Sequence, residues 1–273
     1  MTTIAVLSDN RTANSTLLTE HGLAVLLDTG HRKWLLDTGA SDLFMQNARA
    51  MNLNMADVDA AFVSHGHADH LGGLIPFLES NIKAKVVVSK QAITGEFYSV
   101  RSKPRDLTVR RNFSPYKDRF LTDFKALENE SVYILKVTYE RHRLPRANSS
   151  LFIKKKQVFV CDDFLHELVF VYDMPEGLFV FSGCSHKGLL NVLDTVKANL
   201  HRPVRCLLGG FHLPDGEYES DAEIEHIASS IKLNYPLLKL YTGHCTGNHA
   251  FSVMKKILQD QLTQFYAGFT LII

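Results

Sequence analysis

One stretch limits the folds open to this chain more than any other. Residues 60–64 form a short apolar run of strand character that leads directly into Ser64-His65-Gly66-His67-Ala68-Asp69-His70. Leu71, Leu74, Ile75 and Leu78 follow with the i, i+3, i+4, i+7 spacing of an amphipathic helix. Three imidazoles and a carboxylate therefore fall in the loop between a strand and a helix, where α/β proteins usually place chemistry. Imidazole with carboxylate suits zinc, iron or manganese. An acidic residue inside a histidine cluster also offers a proton acceptor beside a metal-bound water. The run predicts a hydrolytic metal site on an α/β fold rather than a structural one.

The rest of the chain repeats this strand-then-helix style. Residues 3–7, 23–27 and 33–36 read as strands, with Asp28-Thr29-Gly30 as a hairpin-type turn. Ser41 is the expected N-cap of a helix reaching Met51. In the second half, strands at 177–181, 204–208 and 239–241 run into Gly183-Cys184-Ser185-His186, Gly209-Gly210-Phe211-His212 and Gly243-His244-Cys245. Helices are expected over 187–199, 221–233 and 250–260. His186, His212 and His244 thus share one context, a strand end beside glycine, where the backbone turns sharply. If the strands point the same way, these ends converge on the first histidine loop. Three such coincidences, added to the opening run, favour a two-metal site.

Composition narrows the partners. The chain has 273 residues, 45% of them hydrophobic and 22% charged, enough for a large core that needs no metal to hold it folded. Thirty Lys and Arg stand against 29 Asp and Glu, a net charge of +1. That balance gives no reason to expect nucleic acid or a membrane surface as partner. No apolar stretch approaches a membrane span, and the first residues do not read as a secretory signal. Cys161, Cys184, Cys206 and Cys245 are widely spaced, which predicts free thiols and a cytoplasmic protein. No linker marks separate domains, so a single domain over 1–273 is expected, with a basic insertion at about 94–125. Residues 101–119 hold seven Lys and Arg against two Asp. They read either as a solvated surface segment or as a flap whose basic and aromatic groups meet an anionic or aromatic substrate. Oligomeric state is not legible in the sequence.

The run His65-Gly66-His67-Ala68-Asp69-His70 resembles the signature of the metallo-β-lactamase-fold superfamily of metallohydrolases. Further stretches resemble its 7,8-dihydropterin-6-methyl-4-(β-D-ribofuranosyl)aminobenzene-5′-phosphate synthase-like branch. They include Ser8-Asp9-Asn10, Glu20-His21-Gly22-Leu23, Leu36-Asp37-Thr38-Gly39, Gly183-Cys184-Ser185-His186, Gly209-Gly210-Phe211-His212-Leu213 and His244-Cys245-Thr246-Gly247. The resemblance implies an αββα sandwich, two mixed β-sheets flanked by helices. It also implies two divalent metal ions, zinc first, with manganese or iron as other candidates. One metal would be held by His65, His67 and a later histidine, for which His186 is chosen. The second would be held by Asp69, His70 and a final histidine, matched by His244. Cys184 would coordinate instead of or alongside His186, or lie beneath the site as a buried thiol. Asp37 resembles a position that supports a ligating histidine from behind. Asp9 and Asn10 are expected to border the pocket. His212 is left to donate a hydrogen bond to substrate or leaving group. His142 is a poor ligand among arginines, and His21, His31, His201, His226 and His249 are expected to be surface or structural. The branch tends to carry an Asp-Asp-Phe-Leu-Asp-Glu-like stretch, from which Asp162-Asp163-Phe164-Leu165-His166-Glu167 departs at His166.

The function this implies is metal-dependent hydrolysis of a small, anionic phosphoester or ester by a bridging hydroxide. Asp69 would be the proton acceptor and His212 would stabilise developing charge. The alternative is a transferase of the synthase type that the branch name describes. A di-iron oxygen-handling protein is disfavoured because the oxygen-reducing relatives generally have Glu where His67 stands. A non-catalytic sensor is disfavoured by an apparently complete ligand set.

Overall fold

Parallel strands held in register, with functional residues at their ends, organise both parts of this chain. A computed structural model describes all residues except 101–102, 122, 125–126, 128–130 and 139. The chain divides into two compact units, one of Met1–Asp123, Leu151–His166 and Tyr266–Ile273, the other of Phe124–Ser150 and Glu167–Phe265.

The first unit contains a seven-stranded mixed sheet. Its spatial order is Thr270–Ile272, Thr3–Ser8, Ala24–Asp28, Lys33–Leu36, Ala60–Phe62, Lys85–Val87, Phe120–Leu121. Ala24–Asp28 and Lys33–Leu36 form the expected antiparallel hairpin. From Lys33–Leu36 onward the strands are parallel, and Leu36, Phe62 and Val87 lie side by side. The segments that follow them, at Asp37, Ser64 and Val88, therefore leave the sheet at one edge. Helices Leu43–Ala50 and Leu74–Ser80 bury Phe44, Met45, Ala48, Leu74, Phe77 and Leu78 with Leu26, Leu35, Ala61 and Val86 of the strands. That burial of apolar stripes on an apolar sheet is what holds the layers together.

Two local expectations change. The helix after residue 41 starts at Leu43 with Asp42 at the cap position. Ser41 is instead engaged in its own turn and with Glu20, accepting the Leu43 N–H at 3.1 Å and donating to Glu20 Oε2 at 2.6 Å. The helix read from residue 71 is broken into Ala68–Leu71 and Leu74–Ser80, where the Gly39 carbonyl accepts the N–H of Gly73 and shares that of Gly72 with the Ala68 carbonyl.

The basic stretch contributes structure that its composition hides. Phe97–Val100 and Pro104–Asp106 join the hairpin Leu151–Lys155 and Val158–Cys161 in a four-stranded antiparallel sheet, additional to the two sheets expected. Phe113 is buried in the core of the first unit and Tyr116 packs against it. Arg119 donates to the carbonyls of Ala84 and Leu78 at 2.9 Å each, and Arg110 pairs with Asp106 at 2.7 Å. These side chains are committed within the unit. Residues 101 and 102 of the stretch lie outside the described residues.

The second unit has a six-stranded mixed sheet in the order Leu262–Gln264, Lys239–Thr242, Val204–Gly209, Gly177–Ser182, Val169–Met174, Val132–Leu135. The first four are parallel and the last two are antiparallel to their neighbours. Helices Leu189–Leu200, Asp221–Asn234 and Asn248–Leu258 return the chain between or after the parallel strands. Their buried faces include Leu193, Val196, Ile224, Ala228, Ile231, Val253 and Met254, in one cluster with Val180, Leu207 and Leu240 of the sheet. Ser182, Gly209 and Thr242 are register partners, so the loops beginning at Gly183, Gly210 and Gly243 leave the same edge. Among the described residues no helix is long and apolar enough to cross a membrane.

Candidate metal centre

In the first unit the opening run sits where strand Ala60–Phe62 ends. Its histidine rings are packed together, with centroids 4.7 Å apart for His65 and His67 and 4.1 Å for His65 and His70. Asp37, at the end of the neighbouring strand, organises them from below. Its Oδ1 accepts the Ser64 N–H at 2.6 Å, and its Oδ2 accepts the Ser64 hydroxyl and the His70 Nδ1–H at 2.7 Å each. With its proton given to Asp37, the Ser64 hydroxyl accepts from His65 Nδ1 at 2.9 Å. One buried carboxylate thus fixes the Nδ1–H tautomer of two histidines, directly and through Ser64. The nitrogen this leaves for coordination is Nε2 in each ring. Asp37 adopts φ 58°, an uncommon conformation for a non-glycine residue and one that clusters at functional sites.

The same loop is pinned from two other directions. Gly66 N–H donates to His166 Nδ1 at 3.0 Å, which makes His166 Nε2 the protonated nitrogen, 3.1 Å from Asp162 Oδ2. Ala68 N–H donates to the Leu107 carbonyl at 2.8 Å. Gly66 has no room for a side chain, since a Cβ there would lie 2.3 Å from the Phe97 ring. Burial pushes the His67 imidazole below the ordinary histidine value, against the pull of the Asp162 carboxylate 3.8 Å away. Burial alone would raise Asp162, but interaction with His166 and then His67 outweighs it and holds the carboxyl well below the usual range.

Asp69 has His21 Nε2 at 3.3 Å, and His21 Nδ1 lies 3.1 Å from Asn10 Nδ2. Asn10 can only donate here, so the His21 proton is on Nε2 and points to Asp69.

In the second unit, the three in-register loops bring Cys184, His186, His212, His244 and Cys245 together. Cys184, His186 and His212 each offer a ligand atom, all within 4.8 Å of one another, and so do Cys184, His244 and Cys245. Sulfur and imidazole donors at this spacing fit a divalent metal such as zinc. The His186 loop is held by Glu167, whose carboxylate accepts the N–H of His186 at 2.7 Å and of Lys187 at 2.9 Å. His186 Nδ1 lies 3.2 Å from Asn148 Oδ1, which again assigns the proton to Nδ1. Ser185, His212 and His244 all have left-handed backbones, with φ of 55°, 48° and 49°.

The His212 N–H donates to Cys245 Sγ at 3.2 Å. Burial alone would raise the Cys245 thiol, yet Cys184 and the imidazoles of His212 and His244 reverse the sign and hold it well below the ordinary cysteine value. Cys206, buried in the sheet away from such partners, is pushed up. The cysteines are unpaired by disulfides, and Cys161 is exposed.

Sequence reasoning passed over Asp162, Glu167, Asn148 and the position of His21. The Asp162-Asp163-Phe164-Leu165-His166-Glu167 stretch and Glu20-His21-Gly22 stood out only through the resemblance, and nothing in the sequence near Asn148 marked it. His142 lies 3.1 Å from Asp194, outside these groups.

Residues 9–135 match the family model described as the metallo-beta-lactamase superfamily. A Methanocaldococcus jannaschii protein named 7,8-dihydropterin-6-methyl-4-(beta-D-ribofuranosyl)-aminobenzene-5'-phosphate synthase is 25% identical over 277 residues, covering 93% of this chain and 90% of that one. The crystal structure of Tm1679, described as a metal-dependent hydrolase of the beta-lactamase superfamily, is similar with a TM-score of 0.81 at 28% identity, covering 100% of this chain and 99% of that one. Zinc-bound PqqB from Methylobacterium extorquens shares the fold at 12% identity with a TM-score of 0.58, over 99% of this chain and 100% of its own. Over its whole length the chain has the metallo-β-lactamase fold, and its residues 9–135 match the model of that superfamily.

Proposed function

We propose that this chain is a cytoplasmic, metal-dependent hydrolase of a small anionic phosphoester or ester, working with two divalent ions, zinc first. The ligands proposed are His65, His67, Asp69 and His70 from the first unit, with His186 and His244 from the second. The observation that carries the reading is the shared tautomer. His65, His70 and His186 each have Nδ1 engaged, by Ser64, Asp37 and Asn148 respectively. Outer partners of this kind orient ligating histidines and raise their basicity.

Bound metal would supply an acidified water and an electrophile for the substrate oxygen. The chain's own residues do the rest. Asp69 accepts the proton of the attacking water at its carboxylate. His21, protonated on Nε2 and 3.3 Å from Asp69, steadies that carboxylate. Asp37 and Glu167 hold the two histidine loops at fixed geometry, which lowers the reorganisation needed as charge develops.

A transferase reading is supported by the name of the Methanocaldococcus jannaschii relative. The deciding experiment assays purified protein on a panel of phosphodiesters, phosphomonoesters and lactones, then on an aminobenzene ribosyl phosphate with a dihydropterin diphosphate. Metal-dependent release of an alcohol or acid from the panel supports the hydrolase. Turnover seen only when both synthase substrates are present replaces it with the transferase.

A further inference from the structure

We propose that His212 is itself a metal ligand, acting with Cys184 and His186, rather than a hydrogen-bond donor outside the coordination sphere. The proposal rests on the metal-dependent reading above and adds a sulfur-containing ligand group to it. Both ring nitrogens of His212 are shielded from solvent and meet no hydrogen-bond partner of normal geometry among the described residues, although the ring lies close enough to the Cys245 thiol to hold it down. A neutral imidazole presents one N–H and one lone pair, and burying both unpaired is costly. Unlike His65, His70 and His186, whose Nδ1 is set by a protein partner, His212 has neither nitrogen so engaged, and a bound metal would satisfy the one that carries the lone pair.

The position of the ring is fixed by other means. Its backbone is left-handed at φ 48°, and its N–H is tied to Cys245 Sγ at 3.2 Å. A Cβ on the nearby Gly210 would lie 2.3 Å from that sulfur, so the loop can approach Cys245 only with glycine there. The His212 ring then meets the His186 ring at 4.2 Å between centroids.

Ligand atoms of Cys184, His186 and His212 all lie within 4.8 Å of one another. Tetrahedral zinc, with bonds of about 2.0–2.3 Å, sets its ligand atoms roughly 3.3–3.8 Å apart. Small side-chain rotations close that difference. Cys184 also belongs to the group with His244 and Cys245, so its sulfur is the donor common to both groups. Coordination through one His212 nitrogen leaves the other N–H for the substrate.

The test uses the full chain loaded with cobalt(II) after removal of other metals, for wild type, Cys184→Ser, His212→Gln and His212→Cys. The wild type should show a thiolate-to-cobalt charge-transfer band that Cys184→Ser loses. His212→Gln should change the visible ligand-field bands and weaken cobalt binding at least roughly tenfold, by analogy with losses seen even for outer partners. His212→Cys should restore binding and strengthen the charge-transfer band, which a lost hydrogen bond would not do. Circular dichroism of the apo forms checks folding. Superimposable spectra and equal cobalt affinity for wild type, His212→Gln and His212→Cys would overturn the proposal while leaving the hydrolase reading standing. No cobalt binding by the folded wild type would overturn both.

Discussion

The buried carboxylate of Asp37 accepts the Nδ1–H of His70 at 2.7 Å, and the same oxygen accepts the Ser64 hydroxyl that serves His65. One side chain therefore sets the orientation of two expected ligands. Asp37→Asn keeps the shape but replaces an acceptor with an amide that can present N–H groups to the histidine. We predict a 10–100-fold loss of metal affinity with little change in secondary structure, measured by competition with a chromophoric chelator. Unchanged affinity would mean that Asp37 does not orient ligands.

Gly66 is placed against the Phe97 ring so closely that a methyl group must displace one or the other. Gly66→Ala should cost about 1–3 kcal/mol in urea denaturation. Adding Phe97→Leu should recover part of that loss, because it removes the ring atoms that clash. Additive losses in the double variant would contradict the packing explanation.

His166 binds the Gly66 N–H at 3.0 Å from 100 positions away in sequence. Removing the ring by His166→Ala leaves a buried donor unpaired and a cavity beside Asp162. A loss of about 2–4 kcal/mol is expected, with His166→Gln losing less if its amide oxygen reaches the same N–H. Chemical denaturation of the metal-free proteins measures both.

Much of this site was legible in the sequence. The strand–loop–helix around His65 to His70 identified itself by periodicity and residue type. The loops after residues 182, 209 and 242 shared glycine and histidine at strand ends, and their parallel register explains why that pattern mattered. What could not be read was the support from distant residues. Nothing near Gly66 announces that His166 accepts its N–H, and nothing near His186 announces Glu167 or Asn148. Such bonds depend on how separate elements pack, not on local spacing. The basic stretch was legible only in part, for a related reason. Most of its described charges are exposed, as a solvated segment requires, while the burial of Phe113 and the carbonyl contacts of Arg119 depend on packing that local composition does not show.

Glu223 is a half-buried surface acid held down to about 2 from an ordinary 4.5, first by Arg146, with Ser220 and Arg143 adding to the effect. A depressed carboxyl stabilises the fold above its unfolded value and loses that contribution as pH falls through the folded value. Glu223→Gln should therefore lower the thermal midpoint slightly at pH 7. The gap should narrow below about pH 4.5 and close near pH 2. Added salt should shrink the gap at pH 7, since the pairs are exposed. A gap that is independent of pH would contradict a role for the ionised carboxylate, since both its arginine pairs and its bonds to Ser220 depend on that charge.

The most direct measurement of the central claim combines metal content with turnover on one sample. Purified protein is analysed for bound metals, stripped with a chelator, and assayed on the phosphoester panel before stripping, after stripping and after zinc, manganese or iron is restored. The account predicts about two metal ions per chain, as two-metal hydrolytic sites require. Activity should disappear on stripping, return with metal, and be absent in His67→Ala and His244→Ala. Undiminished turnover by the metal-free protein, or by both variants, would contradict it.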